Sequence, residues 1–289
     1  MIKKAVVTAA GLGTRLLPHT KEIPKEMLPI FCKTSRGIFL KPAIQLIFEQ
    51  LYDSGIREFC FITGRGKRVI EDHFTPDRAF IEYLKSKGKR LAAEELQDFY
   101  AKIDDSIIVW VNQSEPRGFG DAVRLSEAFV GDENFILAAG DNYMLSKRNM
   151  HIKKLINTHL KMKNHSTLSV FKVDDPRRFG VVIGKSITPE LIKVEKTVEK
   201  PKEFISDLAL ISLHTFHPVI FDALKKIKPG YANEYQLTDA IQKLIEDGYK
   251  VVALKMEEDV FRLDIGKPHS YWLAVSFSYN NSLGDEDDR

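Results

Sequence analysis

The stretch Lys4-Ala5-Val6-Val7-Thr8-Ala9-Ala10-Gly11-Leu12-Gly13-Thr14-Arg15-Leu16-Leu17-Pro18 decides the fold. Lys4–Thr8 is an unbroken, largely apolar run, the pattern of a strand buried on both faces. The chain then passes at once into small residues. Glycine takes positive φ without a steric penalty and lets a backbone approach a ligand closely. Successive backbone N–H groups in such a loop can form a concave anion site. Arg15 adds a planar, permanently charged fork that matches phosphate oxygens, and Lys25 follows within Pro24-Lys25-Glu26-Met27-Leu28-Pro29. A tight turn would account for the glycines alone. A strand, two glycines, an arginine and a lysine in this order point to a phosphate loop. Two other nucleotide motifs fail on residue identity. A GxGxxG loop would need glycine where Leu16 stands, and the chain's GK[ST] triplet, Gly184-Lys185-Ser186, has Phe179 where a Walker loop needs its first glycine.

The same rhythm continues outward. Residues 58–63, 107–111 and 134–139 read as further strands. Residues 42–53, with Ile44, Ile47, Phe48 and Leu51 at three-and-four spacing, and residues 121–129 read as helices. Alternation of this kind predicts an α/β fold: a single large Rossmann-like domain with a mostly parallel, mixed sheet flanked by helices. Ligands in such sheets sit beyond the carboxyl ends of the strands. The charged stretch 77–104, with Phe80, Leu84, Leu96, Phe99 and Tyr100, predicts a helical hairpin inserted outside the sheet. Beyond residue 150 the spacing predicts helices over 149–163, 236–247 and 269–279, and β segments over 166–173, 181–183, 194–198 and 209–215. One domain is expected over residues 1–282, and the acidic tail 283–289 is expected to fray.

Composition bounds the function. The 289 residues are 44% hydrophobic and 29% charged, with a net charge of +3, which suits a globular chain and lacks the strongly basic footprint of a nucleic-acid binder. Two cysteines, Cys32 and Cys60, make neither a disulfide framework nor a zinc site, and are expected to be reduced thiols in a cytoplasmic protein. The N-terminus lacks a signal-peptide pattern, and no apolar run reaches membrane-spanning length. The eight histidines show no metal spacing and are expected on the surface or in packing.

Residues 9–30, AAGLGTRLLPHTKEIPKEMLPI, resemble the signature of the sugar nucleotidyltransferases, most closely the bacterial-type UTP–glucose-1-phosphate uridylyltransferases. The resemblance runs from about residue 3 to residue 277, through NQSEPRGFGDAV, AAGDN, RRFGVV, VEKPKE, NEYQLTDAI and RLDIGKPHSYWLA. The insertion at 77–104 is also like that subfamily; the shorter thymidylyltransferases lack such a segment. The resemblance implies a nucleotide-diphospho-sugar transferase fold of the glycosyltransferase-A kind. It implies transfer of a nucleotidyl group from UTP to glucose 1-phosphate, giving UDP-glucose and pyrophosphate, with Mg²⁺ as cofactor and a homo-oligomer, dimer or tetramer, as the assembly. Thymidylyl transfer from TTP to a sugar 1-phosphate is the alternative. A non-catalytic paralogue would have lost charged site residues that are present here, and Leu16 disfavours a nicotinamide enzyme.

Roles follow residue by residue. Arg15 and Lys25 are expected to hold the triphosphate, with Ala10, Gly11 and Gly13 lining the nucleotide loop. Asp141 closes an apolar run above that loop, where a carboxylate can hold Mg²⁺; the resemblance supplies Asp264 as the second metal ligand. Gln113 has donors and an acceptor that suit a pyrimidine edge, although its spacing fits a solvated loop as well; the resemblance assigns it to the base, beside Gly118 and with Glu26 nearby. The resemblance also assigns Glu199 to sugar hydroxyls and Lys200 to the sugar phosphate, with Gly180 letting backbone approach the sugar. Adjacent strand residues point to opposite sides, so Glu199 and Lys200 need different partners or a local twist. Two departures stand out. Asp121 occupies a position where many uridylyltransferases carry histidine, and Ile211-Ser212-Leu213-His214 replaces a segment that usually holds a glycine–arginine pair, which puts glucose specificity in question.

Overall fold

Strand β1 (Lys4–Thr8) is buried because it lies between two parallel neighbours, β4 (Glu58–Gly64) and β6 (Phe135–Ala139). Its side chains alternate between two cores. Ala5 and Val7 join Phe59, Phe61, Ile136 and Ala138 in one, while Val6 joins Cys60, Ile62, Phe135 and Leu137 in the other. Apolar residues at every position, rather than every second one, are what a strand covered on both faces requires.

The computed structural model describes residues 1–283. Leu283 ends the last helix, and the rest of the acidic tail, residues 284–289, lies outside the described residues. After β1 the chain makes a hairpin, β2 (Pro29–Thr34) and β3 (Gly37–Pro42), then α1 (Ala43–Asp53), β4, α2 (Arg68–His73), α3 (Arg78–Ser86), α4 (Arg90–Asp104) and β5 (Ile107–Gln113). Next come α5 (Phe119–Arg124), α6 (Glu127–Val130), β6, β7 (Asn142–Leu145), α7 (Met150–Met162), β8 (Ser166–Lys172), β9 (Gly180–Ser186), β10 (Leu191–Glu199) and β11 (Leu208–Phe216). The chain ends with α8 (Ile220–Lys226), α9 (Leu237–Glu246), β12 (Val251–Lys255), β13 (Phe261–Asp264) and α10 (Pro268–Leu283).

Nine strands form one sheet in the order β5-β4-β1-β6-β11-β8-β12-β10-β9. Pairing is parallel from β5 to β6 and between β8 and β12, and antiparallel elsewhere, so the sheet is mixed. The two halves meet at the β6–β11 pair. The stretch read as one helix over 121–129 is two short ones, α5 and α6, broken around Ser126, which is fully buried and donates its hydroxyl to the Val123 carbonyl. That local side-chain bond competes with the helix ladder.

The segment 77–104 is the helical hairpin α3–α4. Asp77 caps α3 by accepting from the Phe80 N–H at 2.9 Å. Charge pins α4 to the β2–β3 hairpin: Arg36 reaches Glu94, Glu95 and Asp98, while buried Lys41 bridges Glu95 at 2.7 Å and Glu49 at 3.0 Å. Cys32 and Cys60 are free thiols, and burial pushes their pKa up to about 11 and about 12, so neither is poised as a nucleophile. No helix among the described residues is long and apolar enough to cross a membrane.

Candidate active site

Beyond the carboxyl end of β1 opens a cleft of about 420 Å³. Ala10, Gly11, Gly13, Arg15, Lys25, Glu26, Gln113, Gly118 and Asp141 all line it, so every expected nucleotide residue meets there. The loop turns through Gly13 into a short 3-10 turn, Thr14–Leu16, and the Thr20 hydroxyl ties it down by donating to the Gly13 carbonyl at 2.7 Å. A further 3-10 turn, Lys25–Met27, carries Lys25 back under Gly11.

Lys25 donates to an Asp141 carboxylate oxygen. Burial pushes the Lys25 pKa down, but Asp141 and Glu26 outweigh it and hold the ammonium above its ordinary value. For Asp141, burial pushes up, and Lys25, then Arg262 and Arg15, bring it below the usual carboxylate range. Both ions are therefore held charged inside the protein by each other. Glu26 is 1% exposed and accepts from Lys67 at 2.8 Å. Burial wins there and raises the Glu26 pKa despite Lys67 and Lys25. Although Glu26 lines the cleft, its carboxylate is already spoken for by Lys67, a partner that nothing in the local sequence announces.

Asp141 and Asp264 come together, each at or just beyond a strand end. Asp141 follows β6 of the main sheet, and Asp264 ends β13, which pairs antiparallel with β7 in a separate two-stranded sheet, with Asp264 opposite Asn142. The Ile265 N–H donates to the Asp141 carbonyl at 3.3 Å. The point a side chain at Gly266 would occupy lies 3.0 Å from an Asp264 oxygen, 3.1 Å from an Arg15 nitrogen and 3.6 Å from an Asp141 oxygen. Arg262, one strand position before Leu263, is a further cation here: its Nε donates to Asn142 at 3.1 Å, and its guanidinium packs over Phe171 and Phe179. Burial lowers its pKa, while Asp264 and Asp141 support its charge.

A second cleft, of about 210 Å³, adjoins the first, and Phe119 and Ser212 line both. Gly180 and Glu199 line it with Arg178, His214, Thr238 and Arg262. Register places Gly180 opposite Glu199 on β9 and β10. A Cβ at Gly180 would lie 2.9 Å from the Glu199 carboxylate and 2.7 Å from the Thr238 hydroxyl, which itself donates to Glu199 at 2.7 Å. A side chain there would have to displace both groups. The strand ends at Glu199, and Lys200 takes a left-handed conformation with φ 41°, a local twist at the strand end; unlike Glu199, Lys200 lines neither cleft. The Lys200 ammonium sits 4.4 Å over the Tyr231 ring and 3.4 Å from Glu199.

Two loops hold the clefts together. The Gly120 N–H donates to the Tyr235 carbonyl, and the Tyr235 N–H to the Arg117 carbonyl, each at 2.8 Å. A Cβ at Gly118, whose φ is 114°, would collide with Tyr235 at 2.7 Å. Of the residues that reasoning from the sequence left without a role, Arg262 and Thr238 lie inside quoted motifs, RLDIGKPHSYWLA and NEYQLTDAI, and that was their only signal. Ser212 and His214 lie in the segment 211–214 that departs from the family pattern, and Lys67 had no signal.

The fold and these clefts define a nucleotide-handling transferase of the α/β class, and the sequence agrees. The nucleotidyl transferase family pattern matches residues 4–281, and the chain belongs to that family. A UTP–glucose-1-phosphate uridylyltransferase of Pseudomonas aeruginosa is 33% identical over 288 residues, covering 97% of each chain. One from Streptococcus pyogenes is 40% identical over 290 residues, covering 96% of this chain and 88% of the relative. Among solved structures, a UDP-glucose pyrophosphorylase complexed with UDP-glucose superimposes with a TM-score of 0.82 at 30% identity, covering 97% of this chain and all of the other.

Proposed function

We propose that the protein transfers a uridylyl group from UTP to glucose 1-phosphate, giving UDP-glucose and pyrophosphate. The observation that carries this is the joining of two clefts at Phe119 and Ser212, with Arg15, Lys25 and Asp141 lining one, Asp264 close to Asp141, and Gly180 and Glu199 lining the other. The relatives' activity supplies the substrates. A phosphate oxygen of the sugar 1-phosphate bonds to the α-phosphorus of UTP, the bond from that phosphorus to the bridging oxygen breaks, and pyrophosphate leaves with the electron pair. The nucleophile is already anionic, so no general base is needed. The protein positions two polyanions and neutralises them. Arg15 and Lys25 hold the triphosphate, Lys200 holds the sugar phosphate in line, Gln113 meets the base and Glu199 the sugar hydroxyls.

Magnesium fits the donor set. It takes oxygen ligands and is usually held by one or two carboxylates completed by water and phosphate oxygens. Asp141 and Asp264 place oxygens around one point, and Asp141 already draws a cation in Lys25. They would hold the ion, which when bound supplies positive charge to the phosphate oxygens. In the same proposal the protein works in the cytoplasm with its thiols reduced and assembles as a homo-oligomer. Phe261 and Leu273, lining a hollow between β13 and α10, and exposed Trp272 offer apolar surface for that contact; light scattering of the purified chain tests it.

The activity test is pyrophosphate release over a grid of nucleoside triphosphates and sugar 1-phosphates. UTP with glucose 1-phosphate should give the fastest release, and chelator should abolish it. A faster reaction with TTP, or with another sugar, would replace the named substrates. No release with any pair would overturn the transferase reading itself.

A further inference from the structure

Gln113 reaches the nucleotide cleft from the end of β5 and is only 6% exposed. Its amide nitrogen has two protein partners, the Asp121 carboxylate at 2.8 Å and the Gly118 carbonyl at 3.3 Å. Both can only accept. Asp121 is itself 5% exposed, in the first turn of α5, and its other oxygen pairs with Arg124 at 2.8 Å. If the amide were turned over, its oxygen would face two acceptors at hydrogen-bond distance. The network therefore dictates the amide's orientation rather than leaving it to choice. No protein group among the described residues donates to the Gln113 oxygen.

We propose that Asp121 is a positioning residue for nucleotide choice: it locks the Gln113 amide with its oxygen free for the base, so that the cleft favours a pyrimidine whose ring N3 carries hydrogen. Uracil and thymine carry one. Cytosine presents a bare ring nitrogen there, and two acceptors would face each other. The two rings have the same size, so the discrimination is one of donor pattern and not of shape. A site built around a specific hydrogen bond rejects the analogue that cannot make it far better than a site built on shape. This inference rests on the proposed reading of Gln113 as the residue that meets the base.

The test is the ratio of kcat/KM for UTP to that for CTP, with glucose 1-phosphate and magnesium saturating. Asp121→Asn keeps the shape but can donate to a turned Gln113 amide, leaving only the Gly118 carbonyl to oppose that orientation. The ratio should fall about tenfold, the scale of one buried hydrogen bond. Asp121→Ser, which removes the carboxylate with less bulk, should do the same and serves if the first variant does not fold. A purely structural role would lower both substrates together and leave the ratio alone. Gln113→Leu should collapse the ratio, and adding Asp121→Asn to it should change the ratio no further, since the two act as one unit. A collapse in Gln113→Leu with the ratio held within twofold in both Asp121 variants would overturn the positioning role while leaving base reading by Gln113 intact. An unchanged ratio in Gln113→Leu would remove base reading by Gln113, and the inference with it.

Discussion

Lys25 and Asp141 make the most informative pair in the molecule at the scale of single residues. The ammonium lies beneath the glycine loop, on the carboxylate oxygen proposed for the metal. Lys25→Ala is expected to lower turnover about 100-fold or more, the scale of losing one well-placed electrostatic donor. Steady-state rates on a variant with an unchanged melting profile check this, and near wild-type turnover would remove Lys25 from the machinery. The pair should not make stability pH-sensitive near neutrality. The Asp141 pKa is lowered, so its contribution is present above the unfolded carboxyl value and is lost only as pH falls through the folded one; the Lys25 pKa is raised, so its contribution is lost only as pH rises through the folded ammonium value.

Elements decide which side chains can meet. The β9–β10 register sets Gly180 against Glu199, and a one-residue slip would send every side chain to the opposite face. Gly180→Ala puts a methyl group within 3 Å of the Glu199 carboxylate and the Thr238 hydroxyl. The expected outcome is a KM for sugar 1-phosphate raised about tenfold or more, with nucleotide affinity by calorimetry little changed. Equal loss of both would make Gly180 a general structural residue. The α3–α4 hairpin poses the other question of this scale. Lys41 is 8% exposed and sits between two carboxylates, Glu49 and Glu95, of which Glu95 is 9% exposed. Lys41→Met should cost about 3 kcal/mol or more in a urea melt, because buried Glu95 and half-buried Glu49 lose their common partner. Turnover of the remaining folded protein should be unchanged, since Lys41 lines neither cleft. A stability loss below 1 kcal/mol would show that the network is incidental.

Over the whole molecule, four histidines set the acid limit. Burial lowers the pKa of His73, His151 and His159 to about 4 and that of His214 to about 3. His214 shows how a neutral ring is used: its Nδ1 accepts from the Ser169 N–H at 3.2 Å. In the unfolded chain each ring binds a proton near its ordinary value of about 6.5. Stability is therefore fully present above that pH and falls as pH drops from there toward 4, by about 1.4 kcal/mol per pH unit for each ring. Denaturant midpoints measured from pH 7 to pH 5 should fall steeply, and His214→Asn should flatten the slope by about one proton. A flat profile over that interval would show that these rings are solvated or charged in the folded protein. At the same scale the sheet's two halves serve different clefts. The all-parallel half ends at the first cleft, and the mixed half carries Gly180 and Glu199 to the second.

The sequence by itself determined what is local. The run from Lys4 to Thr8, the small residues after it, the period of α1 and the charged hairpin at 77–104 are legible because strand burial, turn chemistry and helical spacing act over neighbouring residues. It also named, partly through the resemblance, nine residues that line the first cleft, since most of them lie in or beside one loop or at a strand end. Only the tertiary structure decided how distant parts meet. Asp141 and Asp264 converge through the β7–β13 pairing, Glu26 finds Lys67, and the two clefts join at Phe119 and Ser212. The break of residues 121–129 into α5 and α6, and the turn of Gln113 toward Asp121, likewise depend on side chains that fold into place. Such contacts are set by strand register and by which buried acceptor a donor meets, and neither leaves a periodic trace in the chain.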